Sequence, residues 1–183
     1  MGNNLEIINV KVNPLGEEEI RAIVEIERHP SVRRWLTDYG EESFEEELKG
    51  YIEFFRNIKK NDKVEVLVAK MSGQIVGFLA LWRMENYDED TRSIGVSVHP
   101  NYWGRGIATA LIKETIGLAR KMGVKRIIIE TLEENYAMRR VAEKTGFKLE
   151  TIRRDKISKD GKHYNEVVYS LELDISKNVD RKL

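Results

Sequence analysis

Apolar and polar residues alternate through residues 5–12, and that period of two predicts an opening strand. Pro14-Leu15-Gly16 ends it, and residues 17–27 change to helical spacing, with Ile20, Ile23, Val24 and Ile26 on one stripe. His29-Pro30 breaks that helix. A second helical region follows, in which Ser43 and Glu46 have the spacing of a capping box and Phe44, Leu48, Tyr51, Ile52 and Phe55 recur on one face. Residues 64–71 and 74–84 read as strands joined at Ser72-Gly73, a good hairpin turn. An acidic loop, 86–90, leads into a strand over 92–98. The helix from 106 to about 122 buries Ile107, Leu111, Ile112, Ile116 and Ala119, and Gly123 closes it. A strand over Arg126–Leu132, a helix over 136–145 and a hairpin turning at Asp160-Gly161 complete the pattern. The order β-α-α-β-β-β-α-β-α-β-β predicts a mixed α/β sheet in a single domain over 1–175, with a polar tail at 176–183.

Composition narrows the classes. The chain has 183 residues, 41% of them hydrophobic, enough for one domain with a real core. Basic and acidic residues balance at 31 each, which argues against a nucleic-acid partner held by phosphate neutralisation. No apolar run reaches membrane length and the start does not read as a signal segment, so a cytoplasmic protein is expected. With no cysteine, disulfides, thiolate metal sites and a cysteine nucleophile are excluded. His29, His99 and His163 stand too far apart for a metal motif. A charged fraction of 34%, with Gln74 the only glutamine, suggests a heat-adapted source.

The candidate chemistry concentrates between Val96 and Thr109. A strand runs into a loop bearing Gly104 and Gly106 and then into a helix, which leaves free N–H groups and a helix N-terminus at one spot. An ordinary tight turn would use the same glycines. A dinucleotide-binding fold is a sharper rival, because Glu130 ends the next strand where a ribose-binding acid belongs. Against it, Pro100-Asn101-Tyr102-Trp103 separates the strand from the glycines, and Thr109 is bulky for the third small position.

The stretch Trp103–Ala108, Asn135, and Gly146-Phe147 eleven and twelve residues later together resemble the GNAT superfamily of CoA-dependent N-acyltransferases. The resemblance covers about 64–173. Its last part looks like the branch holding ribosomal-protein N-terminal acetyltransferases and polyamine acetyltransferases. Trp103 departs from the motif, which usually has Gln or Arg there. The resemblance implies a mainly antiparallel sheet flanked by helices, with acetyl-CoA as donor and no metal. Trp103, Gly104, Arg105, Gly106, Ile107, Ala108 and Thr109 would then form the pyrophosphate site, with Arg105 either adding a charge-assisted contact or remaining solvated. Val96 would offer its N–H to the thioester carbonyl, and Val98 would pair with pantetheine. Asn135 would bind the cofactor or cap the next helix, and Arg139 would meet the adenosine phosphate. Glu130 is the candidate base, with Glu133 and Glu134 weaker ones; a solvated strand-end carboxylate is the plain alternative. Many relatives carry a tyrosine acid seven residues after the Asn, where this chain has Ala142. Tyr136, Tyr164 and Tyr169 are then the substitutes, unless CoA leaves as thiolate. The acceptor, a primary amine on a protein or small molecule, would approach around Trp35, Asp38, Tyr39 and Glu41, and the protein would be a monomer or homodimer. A regulatory acyl-CoA-binding subunit without turnover is the reading from another class.

Overall fold

Asn9 ends the first strand earlier than the alternation predicts. Its Oδ1 accepts from the Lys11 amide at 2.8 Å and its carbonyl takes the amides of Val12 and Asn13, so β1 is Leu5–Asn9 and Val12 lies exposed in a turn. The computed structural model describes residues 4–37 and 40–174. Helix α1 (Glu17–Arg28) buries Ile20, Ile23, Val24 and Ile26, as its stripe requires. The His29-Pro30 break is itself a cap: His29 ends α1, and its Nδ1 accepts from Ser31 to start the short α2 (Pro30–Arg33), which periodicity could not reveal in four residues. In α3 (Phe44–Asn57) the capping box forms, with Ser43 Oγ accepting from the Glu46 amide and Glu46 Oε2 accepting from the Ser43 amide. Strands β2 (Val64–Met71) and β3 (Gln74–Trp82) turn at Ser72 and Gly73, whose φ values of 51° and 80° suit a tight hairpin. Then come β4 (Thr91–Val98), α4 (Ile107–Lys121), β5 (Arg126–Leu132), α5 (Tyr136–Lys144), β6 (Lys148–Lys159) and β7 (Lys162–Glu172). The strands are hydrogen-bonded in the order β1-β2-β3-β4-β5-β7-β6, mixed and mainly antiparallel, and the chain passes twice through each of two compact units.

The first unit comprises the chain up to Ala80 together with Val96–Leu111. There β1 runs antiparallel to β2, Leu5 opposite Met71, and Val24, Val68, Ala69 and Leu79 are fully buried. The second unit comprises Leu81–Gly95 and the chain from Ile112. In it β4 pairs parallel with β5 from Thr91 to Ser93, β5 pairs antiparallel with β7, and β7 with β6. Ile127, Ile128 and Ile129 are all buried, so β5 is covered on both faces, and its near-continuous apolar run follows from that. The tail at 176–183 lies outside the described residues.

Gly50 is exposed in the body of α3, and a Cβ added there would meet nothing within 4 Å. Gly50→Ala should therefore raise stability by about 0.5–1 kcal/mol through helix propensity alone, read as a higher midpoint in urea at unchanged slope.

Candidate active site

The end of β4 has a usable edge. In the first unit Ser97 presents its carbonyl to β3, where a Cβ on Gly77 would approach it to 3.0 Å, and the His99 amide donates to the Val76 carbonyl at 2.8 Å. Peptide groups alternate sides along a strand, so the amides of Val96 and Val98 point to the opposite edge. The ladder between β4 and β5 ends at Ser93, and no strand partner reaches Val96 or Val98 on that edge among the described residues. Trp103 supplies one partner: its Nε1 donates to the Val98 carbonyl at 2.7 Å, which ties the loop to the strand. That bond is a structural use for the residue that departs from the family motif.

Beyond Trp103 the chain enters α4 through Gly104 and Gly106, whose φ values are 73° and 78°, in the region that side chains disfavour. Nothing lies within 4 Å of where a Cβ would stand on either, so a ligand can reach the backbone. Among the described residues, no backbone carbonyl takes the amides of Gly104 to Thr109. Ile107 anchors this turn in the core at 2% exposure, while Ala108 and Thr109 are half-buried. The guanidinium of Arg105 lies 5.0 Å over the Tyr102 ring. Free amides at a helix start are a fit for a pyrophosphate, so these residues are able to hold acetyl-CoA.

The second unit holds Glu130, the candidate base, and its partners. Glu130, with 18% of its side chain exposed, accepts at Oε1 from Tyr87 Oη at 2.9 Å and from Arg153 at 2.8 Å. Arg153 also donates to Glu166, at 2.8 Å, and to Tyr87 Oη, at 2.9 Å. Glu166 is buried, at 6% exposure. These partners hold the guanidinium well above its usual range, the Tyr87 hydrogen bond contributing most. Burial pushes the Tyr87 phenol up, and Glu130 adds to that shift while Arg153 opposes it. Tyr87, Arg153 and Glu166 escaped sequence reasoning. Tyr87 lies in a loop that periodicity does not describe, and Arg153 sits in an exposed charged run on β6.

Asn135 is buried at 9% exposure and caps α5, its Oδ1 accepting from the Met138 amide at 3.2 Å, while its Nδ2 donates to Thr131 Oγ1 at 3.0 Å. Both of its polar atoms thus serve the local structure. Asn135→Ala should cost about 1–2 kcal/mol, which for a chain of this size lowers the melting temperature by roughly 2–8 °C in calorimetry. Arg139 donates to the Tyr169 hydroxyl and to the Glu133 carbonyl, at 3.2 Å and 3.0 Å, with its guanidinium 5.5 Å from the Tyr136 ring. Tyr169 is fully buried and donates to Glu143 at 2.9 Å. Tyr136 is 68% exposed, Tyr164 half-buried and Ala142 fully buried. Glu133 accepts from Asn165 Nδ2 at 2.7 Å. Of the expected acceptor groups, Trp35 lies under the Arg34 guanidinium at 4.5 Å, Glu41 is exposed, and Asp38 and Tyr39 fall outside the described residues.

The sequence profile of the acetyltransferase (GNAT) domain matches residues 9–148. An uncharacterised N-acetyltransferase of Mycobacterium bovis is 31% identical over 108 residues, which are 59% of this chain and 67% of that protein. A putative acetyltransferase of Salmonella typhimurium, solved with acetyl-CoA, superposes with a TM-score of 0.75 at 22% identity, covering 94% of this chain and 95% of that one. A ribosomal-protein-alanine N-acetyltransferase of Brucella melitensis superposes with a TM-score of 0.73 at 20% identity, over 92% of this chain and 99% of the other. The strand edge, the amide-lined loop and the profile match agree: the chain belongs to the GNAT family of acetyltransferases.

Proposed function

We propose that this protein transfers an acetyl group from acetyl-CoA to a primary amine by direct attack in a ternary complex. The observation that carries the reading is the run of unpaired amides from Gly104 to Thr109, reached directly from a strand whose Val96 and Val98 amides are also open. The loop amides hold the pyrophosphate. The Val98 amide pairs with the pantetheine arm, its carbonyl being already engaged by Trp103. The Val96 amide donates to the thioester oxygen as charge develops there, a contact worth about 2.7–4 kcal/mol of barrier in comparable acyl transfers.

An ammonium has no lone pair to attack with, so its proton must go to a base. Glu130 takes that role, directly or through one water. Tyr87 and Arg153 fix its Oε1, and among the described residues Oε2 has no partner, which leaves that oxygen to accept the proton. Ala142 removes the usual phenol and Tyr169 is committed to Glu143, so CoA leaves either protonated by Tyr136 or Tyr164 or as thiolate, a tolerable leaving group with a thiol pKa of about 8.5. The acceptor is a primary amine, and a protein N-terminus, a lysine and a small polyamine are the classes to test first. Two neighbours in fold, the Brucella enzyme and a spermidine N-acetyltransferase chimera that includes the Vibrio cholerae protein, are named for a ribosomal-protein alanine and for spermidine.

Release of CoA thiol from acetyl-CoA, followed with a thiol-reactive dye against N-terminal peptides, lysine peptides and polyamines, tests this. The chain has no cysteine and so no thiol background. Release with one acceptor class supports the enzyme. Tight acetyl-CoA binding with no release from any acceptor would instead favour a regulatory acyl-CoA-binding subunit, the reading that Ala142 supports.

A further inference from the structure

The first unit carries an open cavity of ≈ 610 Å³ between α1, α2, α3 and the strands β2 and β3. Phe54, Phe55, Val66 and Phe78 give it apolar and aromatic walls, and Glu27 and Tyr51 give it one polar corner. Glu27 accepts a hydrogen bond from Tyr51 Oη and forms no ion pair among the described residues. Of the other carboxylates on the rim, Glu42 is exposed to solvent and two are engaged elsewhere. Glu47 pairs with Arg28 at 2.5 Å, and Glu46 closes the capping box with Ser43. Arg33, the cation of the lining, donates to the Gly40 carbonyl. A half-buried carboxylate with a phenol as its partner is costly in its charged form. Burial indeed pushes Glu27 up, the nearby Glu47 charge adding to the shift and the Tyr51 hydrogen bond opposing it. Burial and Glu27 push the Tyr51 phenol up in turn, so it stays a donor.

A cavity of this size with aromatic walls and a polar corner is the form of a small-molecule site. A cation entering it would compensate Glu27 and gain aromatic faces around its apolar body. The strand that supplies Phe78 also neighbours the end of β4: a Cβ built on the preceding Gly77 would stand 3.0 Å from the Ser97 carbonyl. We propose that this cavity binds the acceptor, a small organic ammonium carried on an apolar or aromatic body, with Glu27 as its anchoring carboxylate and Tyr51 holding that carboxylate in place. The assignment of the ligand as acceptor rests on the acetyltransferase reading; the binding itself does not. An ammonium held at Glu27 is protonated, so it attacks only after passing that proton to the base, Glu130 in the proposed reaction, or it stays charged and anchors a molecule whose second, neutral amine attacks.

Calorimetric titration of full-length protein with 2-phenylethylamine, and with the neutral 2-phenylethanol, tests the cavity without turnover. The amine should bind saturably to the wild type and about tenfold more weakly to Glu27→Gln, while the alcohol binds weakly to both. Glutamine keeps an acceptor for Tyr51 and removes a desolvated charge, so that variant should fold. Gly50→Leu, which adds bulk at a lining position of α3, should weaken the amine as well. Equal affinity of wild type and Glu27→Gln, or no saturable amine binding to the wild type, would overturn the proposal. So would a peptide N-terminus or spermidine that depends on Glu27 while 2-phenylethylamine does not. CoA release separates the two readings. Turnover of some acceptor that is indifferent to Glu27→Gln removes the cavity and leaves the enzyme. Glu27-dependent amine binding with no CoA release from any acceptor leaves the cavity and removes acetyl transfer.

Discussion

Arg153→Ala should unfold the protein at markedly lower denaturant, with a loss on the order of 3 kcal/mol, or roughly 6–12 °C in melting temperature. The reason is what the arginine leaves behind. Glu166 has 8% of its side chain exposed and Glu130 has 18%, and both take their charge compensation from the one guanidinium at 2.8 Å. Removing it strands two partly desolvated carboxylates, which costs more than the pair ever contributed. The arginine itself is 36% exposed, so the loss belongs at the low end of what a buried pair shows. A double-mutant cycle with Glu166→Gln distinguishes this from lost packing. The Arg153→Ala loss should shrink by at least 1 kcal/mol in the Glu166→Gln background, where one stranded charge is gone. A loss below about 0.5 kcal/mol in the single variant would place the cluster with ordinary surface pairs and sink the argument.

Glu130→Gln should lower kcat for acetyl transfer by about 10²-fold or more, the lower bound for a positioned general base. The KM for acetyl-CoA should change little, since the amides proposed to hold the donor belong to other residues. Stability should fall by less than in Arg153→Ala, because glutamine still accepts from Tyr87 and Arg153 keeps Glu166. The split is diagnostic: a merely structural Glu130 would lose stability without a selective loss of kcat. Unchanged kcat near neutral pH in a folded variant would remove Glu130 from the chemistry and leave it as the partner of Arg153.

The elements with long, regular periodicity were legible from the residues alone. Helices α1, α3, α4 and α5 fall within a residue or two of where spacing puts them, because each buries a stripe that only one period satisfies, and β5 was legible as a short continuous apolar run. The exceptions are local. The Asn9 turn and the four-residue α2 depend on single side-chain bonds that carry no period. The glycine turn and the Asn135 cap were readable locally, because such turns and caps have short-range signatures. The Glu130 cluster was readable only in part. Its members come from β5, β6, β7 and the 86–90 loop, and Tyr87 and Arg153 are 66 positions apart in the chain. Nothing in one segment states that a distant arginine will neutralise its carboxylate. The cavity at Glu27 was equally silent, since Tyr51 and Phe55 are indistinguishable from core residues until the helices are packed.

The open edge at Val96 and Val98 has a bearing on how the protein behaves outside catalysis. A row of unpaired strand amides is a template for any extended chain, including that of another copy. If the pantetheine arm is its normal occupant, the donor acts as a temporary strand as well as a reactant. Protein stripped of CoA should then exchange the Val96 and Val98 amide hydrogens quickly and self-associate on concentration. Adding CoA, with or without its acetyl group, should slow that exchange and keep the protein dispersed.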